Sequence, residues 1–192
     1  PFFKQLSFRL SNLRFIENTF TIDNIQKSIN VILNNPNPPV DLQISTLTGY
    51  AFFLTVHKCD YERAASIWSK IIDLKKNNGI LANLDEAYTQ IIVNLFFAAD
   101  YKGALQKAEL VKDLTLSSES RNYYYARYWE SMTLLTLGQI QAAKNLIVQL
   151  RHGRFTDAFS RIMKFYCLAN LHYSQGDHRR AFVNYDRMVT IY

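Results

Sequence analysis

The sequence predicts an all-α fold, an α-solenoid of stacked antiparallel helix pairs in about four to five repeats of 38–40 residues. Three observations carry that expectation. A short phrase that opens on a small residue and closes five positions later on alanine recurs four times: Cys59 to Ala64, Ala99 to Ala104, Gly138 to Ala143 and Gly176 to Ala181. The closing alanines lie 40, 39 and 38 residues apart. The segments between copies carry apolar residues at helical spacing rather than the turn-rich alternation of strands.

Each element follows in order. Leu6–Glu17 and Asp23–Leu33 read as a degenerate helical pair, with Asp23 as a cap and Ser28 where the repeat alanine would fall. Asn34-Asn35-Pro36-Asn37-Pro38-Pro39 must be a loop, which places a boundary between residues 1–40 and repeats at 41–192, both continuous within one domain. Leu42–His57 is the next helix. Tyr61–Lys75 follows, with Ala64, Ile67, Trp68, Ile71 and Ile72 as its stripe, and Asn77-Asn78-Gly79 stops it. Asn83–Ala98 and Tyr101–Leu114 form the second pair, with Asp85 and Glu86 suiting the positive end of a helix dipole. After the cap-rich Ser117–Ser120, Ser120–Leu137 and Ile140–Leu150 form the third pair, and Arg151-His152-Gly153 closes it. Thr156–Gln175 and His178–Tyr192 form the fourth. A lone hairpin cannot bury its apolar face, so neighbours must stack, and the small and alanine positions let helices approach.

The composition excludes several classes. With 192 residues, 48% hydrophobic, 20% charged and four prolines, the chain is long and apolar enough to fold around a large core. Its thirteen Phe and twelve Tyr suit the gaps between stacked helices. No apolar run approaches the ~20 residues of a membrane span. The opening Pro1-Phe2-Phe3-Lys4 is neither a signal peptide nor an initiator methionine, which predicts a piece of something longer. Cys59 and Cys167 are too few for a disulfide framework and read as buried free thiols, in keeping with an intracellular, cytoplasmic or nuclear, location. The net charge of +6 is unevenly placed: residues 1–120 are neutral, and residues 121–192 hold ten cations, eight of them arginine, against four acids.

The repeat phrases resemble tetratricopeptide repeats. Working from Ala181, the fourth copy supplies Phe165, the Leu168-Ala169 pair, Gly176 and Tyr185 at the family's positions. Trp68 fills the late aromatic position of the first copy, and Ser131 the early small position of the third. The spacing of 38–40 exceeds the family's 34, and the proline at the end of each repeat is absent. Other alanine-punctuated hairpin solenoids, including those of large regulatory ATPases and proteasome-lid-like subunits, share these features. The resemblance covers residues 41–192. It implies a right-handed superhelix in which the first helix of each hairpin lines a concave groove.

No catalytic or cofactor signature is legible. His57 and Cys59, or His172 and His178, do not have zinc-ligand spacing, neither cysteine has a nucleophile signature, and the six glycines form no phosphate loop. The expectation is no enzyme, no metal and no cofactor. Two clusters stand out instead. The helix from Arg121 to Glu130 carries four tyrosines and a tryptophan, which cannot all face one core stripe; Arg121, Tyr125, Tyr128 and Met132 share one side, and Tyr124, Arg127 and Ser131 the next. The second cluster is Arg151, His152 and Arg154, with Arg161 and Lys164 beyond. Tyr and Arg dominate interface hot spots, so Arg121, Tyr124, Tyr125, Arg127, Tyr128, Arg154, Arg161 and Lys164 are the candidate partner-binding residues. Arg179 and Arg180 oppose the helix dipole, which hints at an anionic ligand. The sequence therefore points to a scaffold for a peptide or partner protein of acidic character. Further readings are an effector-sensing module of a larger transcription regulator or ATPase, and a helical-repeat nucleic-acid binder. The last helix, basic and open, predicts self-association or further chain over it.

Overall fold

The computed structural model describes residue 27 and residues 29–31, 38–114, 121–150 and 158–191, with the backbone alone at 113, 114, 121 and 159. The degenerate N-terminal pair, most of the proline-rich loop and Arg154 lie outside the described residues. Among the described residues there are helices and no strands. They are α1 (Val40–Phe53), α2 (Tyr61–Asn77), α3 (Leu84–Phe97), α4 (Tyr101–Leu114), α5 (Arg121–Thr136), α6 (Ile140–Leu150), α7 (Ala158–Ser174) and α8 (His178–Val189). The chain divides into two compact units, Pro1–Asn94 and Leu95–Tyr192.

In the first unit α1 packs on α2. Leu47, Tyr50 and Ala51 meet a stripe of Ala64, Ile67, Trp68, Ile71 and Ile72, all buried. At spacings of three and four these residues share one face of α2, as the sequence stripe predicts. The sequence does not reveal how α1 ends. Leu54–Lys58 forms a π-helical turn, so one extra residue is accommodated before Cys59. The Asp60 N–H therefore reaches back to the Leu54 carbonyl at 3.1 Å, six residues away instead of five. Buried Asn94 donates to the Gln90 carbonyl at 2.8 Å, and its Oδ1 lies 2.7 Å from the Thr55 hydroxyl, which ties α3 to the end of α1.

In the second unit α5 packs on α4 and α6, and α7 packs on α5, α6 and α8. The closing alanines Ala104, Ala143 and Ala181 are buried here, as Ala64 is in the first unit. Their burial at the start of each second helix is what permits the close approach of its partner.

The repeat phrase has a backbone explanation that spacing alone does not supply. The small residue is left-handed in every copy: Cys59 at φ 52°, Ala99 at 61°, Gly138 at 73° and Gly176 at 76°. Ala99, Gly138 and Gly176 donate to carbonyls three residues back, and the next residue donates five back, which terminates the helix and reverses the chain. The following aspartate then caps the next helix. Asp60 accepts from the Arg63 N–H at 3.3 Å, Asp100 from Gly103 at 2.9 Å and Asp177 from Arg180 at 3.1 Å. Two of the four left-handed positions thus carry a Cβ, which is strained there. Ala99→Gly is expected to raise the unfolding free energy by about 0.5 to 1 kcal/mol. Urea denaturation checks this, and an unchanged or lower midpoint would contradict it.

The left-handed backbone also corrects one expectation. Cys59 is exposed, because its turn projects the side chain outward, whereas Cys167 is buried; both are free thiols. Burial pushes the Cys167 thiol up to about 12. It sits 3.5 Å from the Ser131 hydroxyl between α5 and α7, a packing group rather than a nucleophile.

Candidate functional site

Arg127 and Tyr128 of the sequence-predicted surface turn inward. Tyr128 is 5% exposed, and Met132 and Ser131 one turn on are buried with it. Arg127 is held by an ion pair to Glu130 on the same helix, both side chains about one-tenth exposed. Lys112 of α4 approaches the same carboxylate at 3.7 Å and also pairs with Glu109. Burial raises the Glu130 carboxyl above its ordinary range, against the pull of Arg127 and Lys112. The physical reason for the difference is neutralisation. A buried carboxylate needs its cations, and Arg127 is one of them.

Tyr124 and Tyr125 remain half-exposed on the first half of α5, with Tyr123 edge-on to Tyr124 at 5.5 Å. Tyr125 stands 6.3 Å from Trp129, whose ring also meets Phe96 at 5.1 Å and Phe97 at 5.3 Å. Arg121 opens α5 and only its backbone is described. Arg161 is exposed and Lys164 half-buried on α7, apart from the α5 tyrosines in the chain's order of helices.

The structure brings together another group that the sequence scattered. Between α7 and α8 lies an open cavity of about 590 Å³. Its apolar part comes from Leu168 and from Val183, which is 42% exposed. Arg179, Arg180, Arg187 and His172 line the rest, with Asp177 as the acid among the lining residues. Asp177 is already committed as the cap of α8 and lies 3.4 Å from the Arg180 Nε. Arg187 rides over the Phe165 ring at 5.9 Å. Arg161, Phe165, Leu168 and His172 recur at helical spacing and so share one face of α7. The His172 Nδ1 is buried with no hydrogen-bond partner among the described residues. The signal was present in the sequence as that four-residue periodicity, but the matching positions on α8 emerge only from the antiparallel pairing, anchored by Tyr185 donating to Asn170 at 3.2 Å.

Among the described residues no group of three His, Cys, Asp or Glu could hold a metal ion, and no helix is long and apolar enough to cross a membrane. What the helices define is a TPR-like helical-hairpin repeat fold. Solved structures show the same fold. The chain is similar to BtubC (BKLC) from P. vanneervenii at 11% identity, covering 88% of this chain and 70% of that one, with a TM-score of 0.65. A kinesin light chain of P. anserina with nearly identical TPR-like repeats matches at 12% identity, 98% and 92% coverage and a TM-score of 0.71. The apo form of RapI matches at 13% identity, 99% and 81% coverage and a TM-score of 0.68. No family model matches the sequence, and no curated protein matches it.

Proposed function

We propose that the chain is a protein-interaction scaffold whose C-terminal repeats hold an acidic segment of a partner protein. The observation that carries this reading is the concentration of all the net charge, +6, in residues 121–192, with Arg161, Arg179, Arg180 and Arg187 exposed on the last two helices. Such a surface attracts anionic partners and enriches them before contact. Tyr124, Tyr125 and Lys164 supply amphipathic area nearby in the sequence, of the type that anchors interfaces. Arg121 and Arg154 remain candidates on the sequence argument. A repeat fold with buried alanines and no convergent nucleophile or metal cluster among its described residues suits binding better than turnover.

A second reading, nucleic-acid binding, draws on the same charge with tyrosines that could stack on bases. One experiment separates them. The intact chain and an Arg161→Glu/Arg179→Glu variant are immobilised and exposed to lysate with and without nuclease. Protein partners that survive nuclease and disappear with the variant support the scaffold. Recovery dominated by nucleic acid and lost on nuclease treatment would replace it with the second reading.

A further inference from the structure

We infer that the α7–α8 face is a docking groove for an amphipathic helix of a partner protein, one that carries carboxylates at both ends of a short apolar stripe. This rests on the scaffold reading above and adds the site, the secondary structure and the charge pattern of the ligand.

The occupant's shape follows from the fold itself. The α5–α6 hairpin presents its face to a helix, α7, which packs on both of its members. The α7–α8 hairpin repeats that arrangement 38 residues on, from Gly138 to Gly176 and from Ala143 to Ala181. A helix is therefore the element that such a face fits, read through anchors spaced three and four residues apart.

The occupant's charge follows from the lining. In the third hairpin, Arg127 is neutralised from within by Glu130. Leu168 stands 38 residues after Glu130, so the fourth hairpin has no carboxylate at the equivalent position. Its arginines stay exposed, around an apolar middle of Leu168 and Val183. The helices run antiparallel, so Arg187 lies over Phe165, toward the Arg161 end of α7. Arg180 lies toward the His172 end, beside the α7–α8 turn. Arg180 and Arg187 are seven residues apart on α8, or about 10 Å along its axis. A partner helix with Asp or Glu at positions i and i+7 and apolar residues at i+3 and i+4 matches both ends and the middle. A second copy of this chain is disfavoured, because it would bring another basic face against this one.

The probe is a fluorescent amphipathic peptide of about 18 residues, long enough to form a helix with its surroundings' help. It carries Glu at i and i+7 and Leu at i+3 and i+4. Two controls replace the Glu residues with Lys or the Leu residues with Ser. Anisotropy against the intact chain is expected to show binding of the first peptide alone. Arg161→Glu, Arg187→Glu and Val183→Asp should each weaken it tenfold or more, while Lys102→Glu, an exposed cation on α4, should not. Arg161 is fully on the surface, so its variant keeps the test valid if Arg187→Glu disturbs the packing over Phe165. Binding that ignores these three variants overturns the groove and leaves the scaffold intact. Binding of neither Glu peptide nor control also overturns the groove, and the lysate experiment then judges the scaffold separately. Equal binding of the Leu-to-Ser control reduces the site to unspecific charge, and competition by oligouridylate assigns the face to nucleic acid. A dimer in sedimentation that Val183→Asp dissolves gives it to a second copy. Each of these three results overturns the proposal.

Discussion

Arg127→Leu is expected to cost about 3 kcal/mol of folding stability at neutral pH, because it leaves the Glu130 carboxylate buried with its main counter-charge removed. Glu130 is held by Arg127 and, more loosely, by Lys112. The pH dependence gives the assignment a signature. The folded Glu130 carboxyl already lies above its ordinary value because of burial, so the folded state binds this proton more tightly than the unfolded one does. Its contribution is fully present below the unfolded pKa and is lost as pH rises through the folded pKa. Removing Arg127 raises the folded value further and widens the window of loss. The penalty should therefore be largest near about pH 7 and shrink as pH falls toward the ordinary carboxylate value of about 4.3. Urea unfolding of both proteins across that range tests this. A penalty independent of pH would mean that the ion pair is incidental and that only the packing of the arginine stem matters. The same result bears on function, since a partner-binding assay that mutates Arg127 would report damaged folding as lost binding.

Trp129→Ala is expected to cost about 4 kcal/mol, at the upper end of large-to-small core changes. The ring is 7% exposed and is held by Phe96, Phe97 and Tyr125. Deleting it empties the junction between the end of α3 and the middle of α5 within the second unit. Trp129→Phe should be far milder, about 1 kcal/mol. It keeps an aromatic face for Phe96, and it removes the Nε1 donor that is buried with no partner among the described residues. Denaturant midpoints for the two variants decide the matter. Equal losses would show that the indole's full width, not its ring contacts, fills the site.

The parts of the fold legible in the sequence are those where chemistry punctuates it. Tyr101–Leu114 and Ile140–Leu150 can be read to the residue, because a small residue and a cap-like position precede each one. The π-turn at Leu54–Lys58 could not be read, since an inserted residue inside a continuous apolar pattern leaves no mark of its own. At the candidate site, Glu130 was visible three residues after Arg127, but the burial that binds them depends on α4 and α5 meeting. The tyrosines of α5 were correctly seen as too many for one stripe. Which of them turned inward depended on where α7 lay. The basic groove of α7–α8 was half legible for the same reason, one bank on each of two helices.

The four left-handed positions carry a broader consequence. Cys59, Ala99, Gly138 and Gly176 share no side chain, only a sign of torsion. What is inherited from hairpin to hairpin is thus a handedness, stored in the backbone and indifferent to spelling as long as the residue is small enough to tolerate it. A chain written under such a rule can exchange most of its letters and keep every reversal of direction. Kinship of this kind is visible in shape long after it has faded from text.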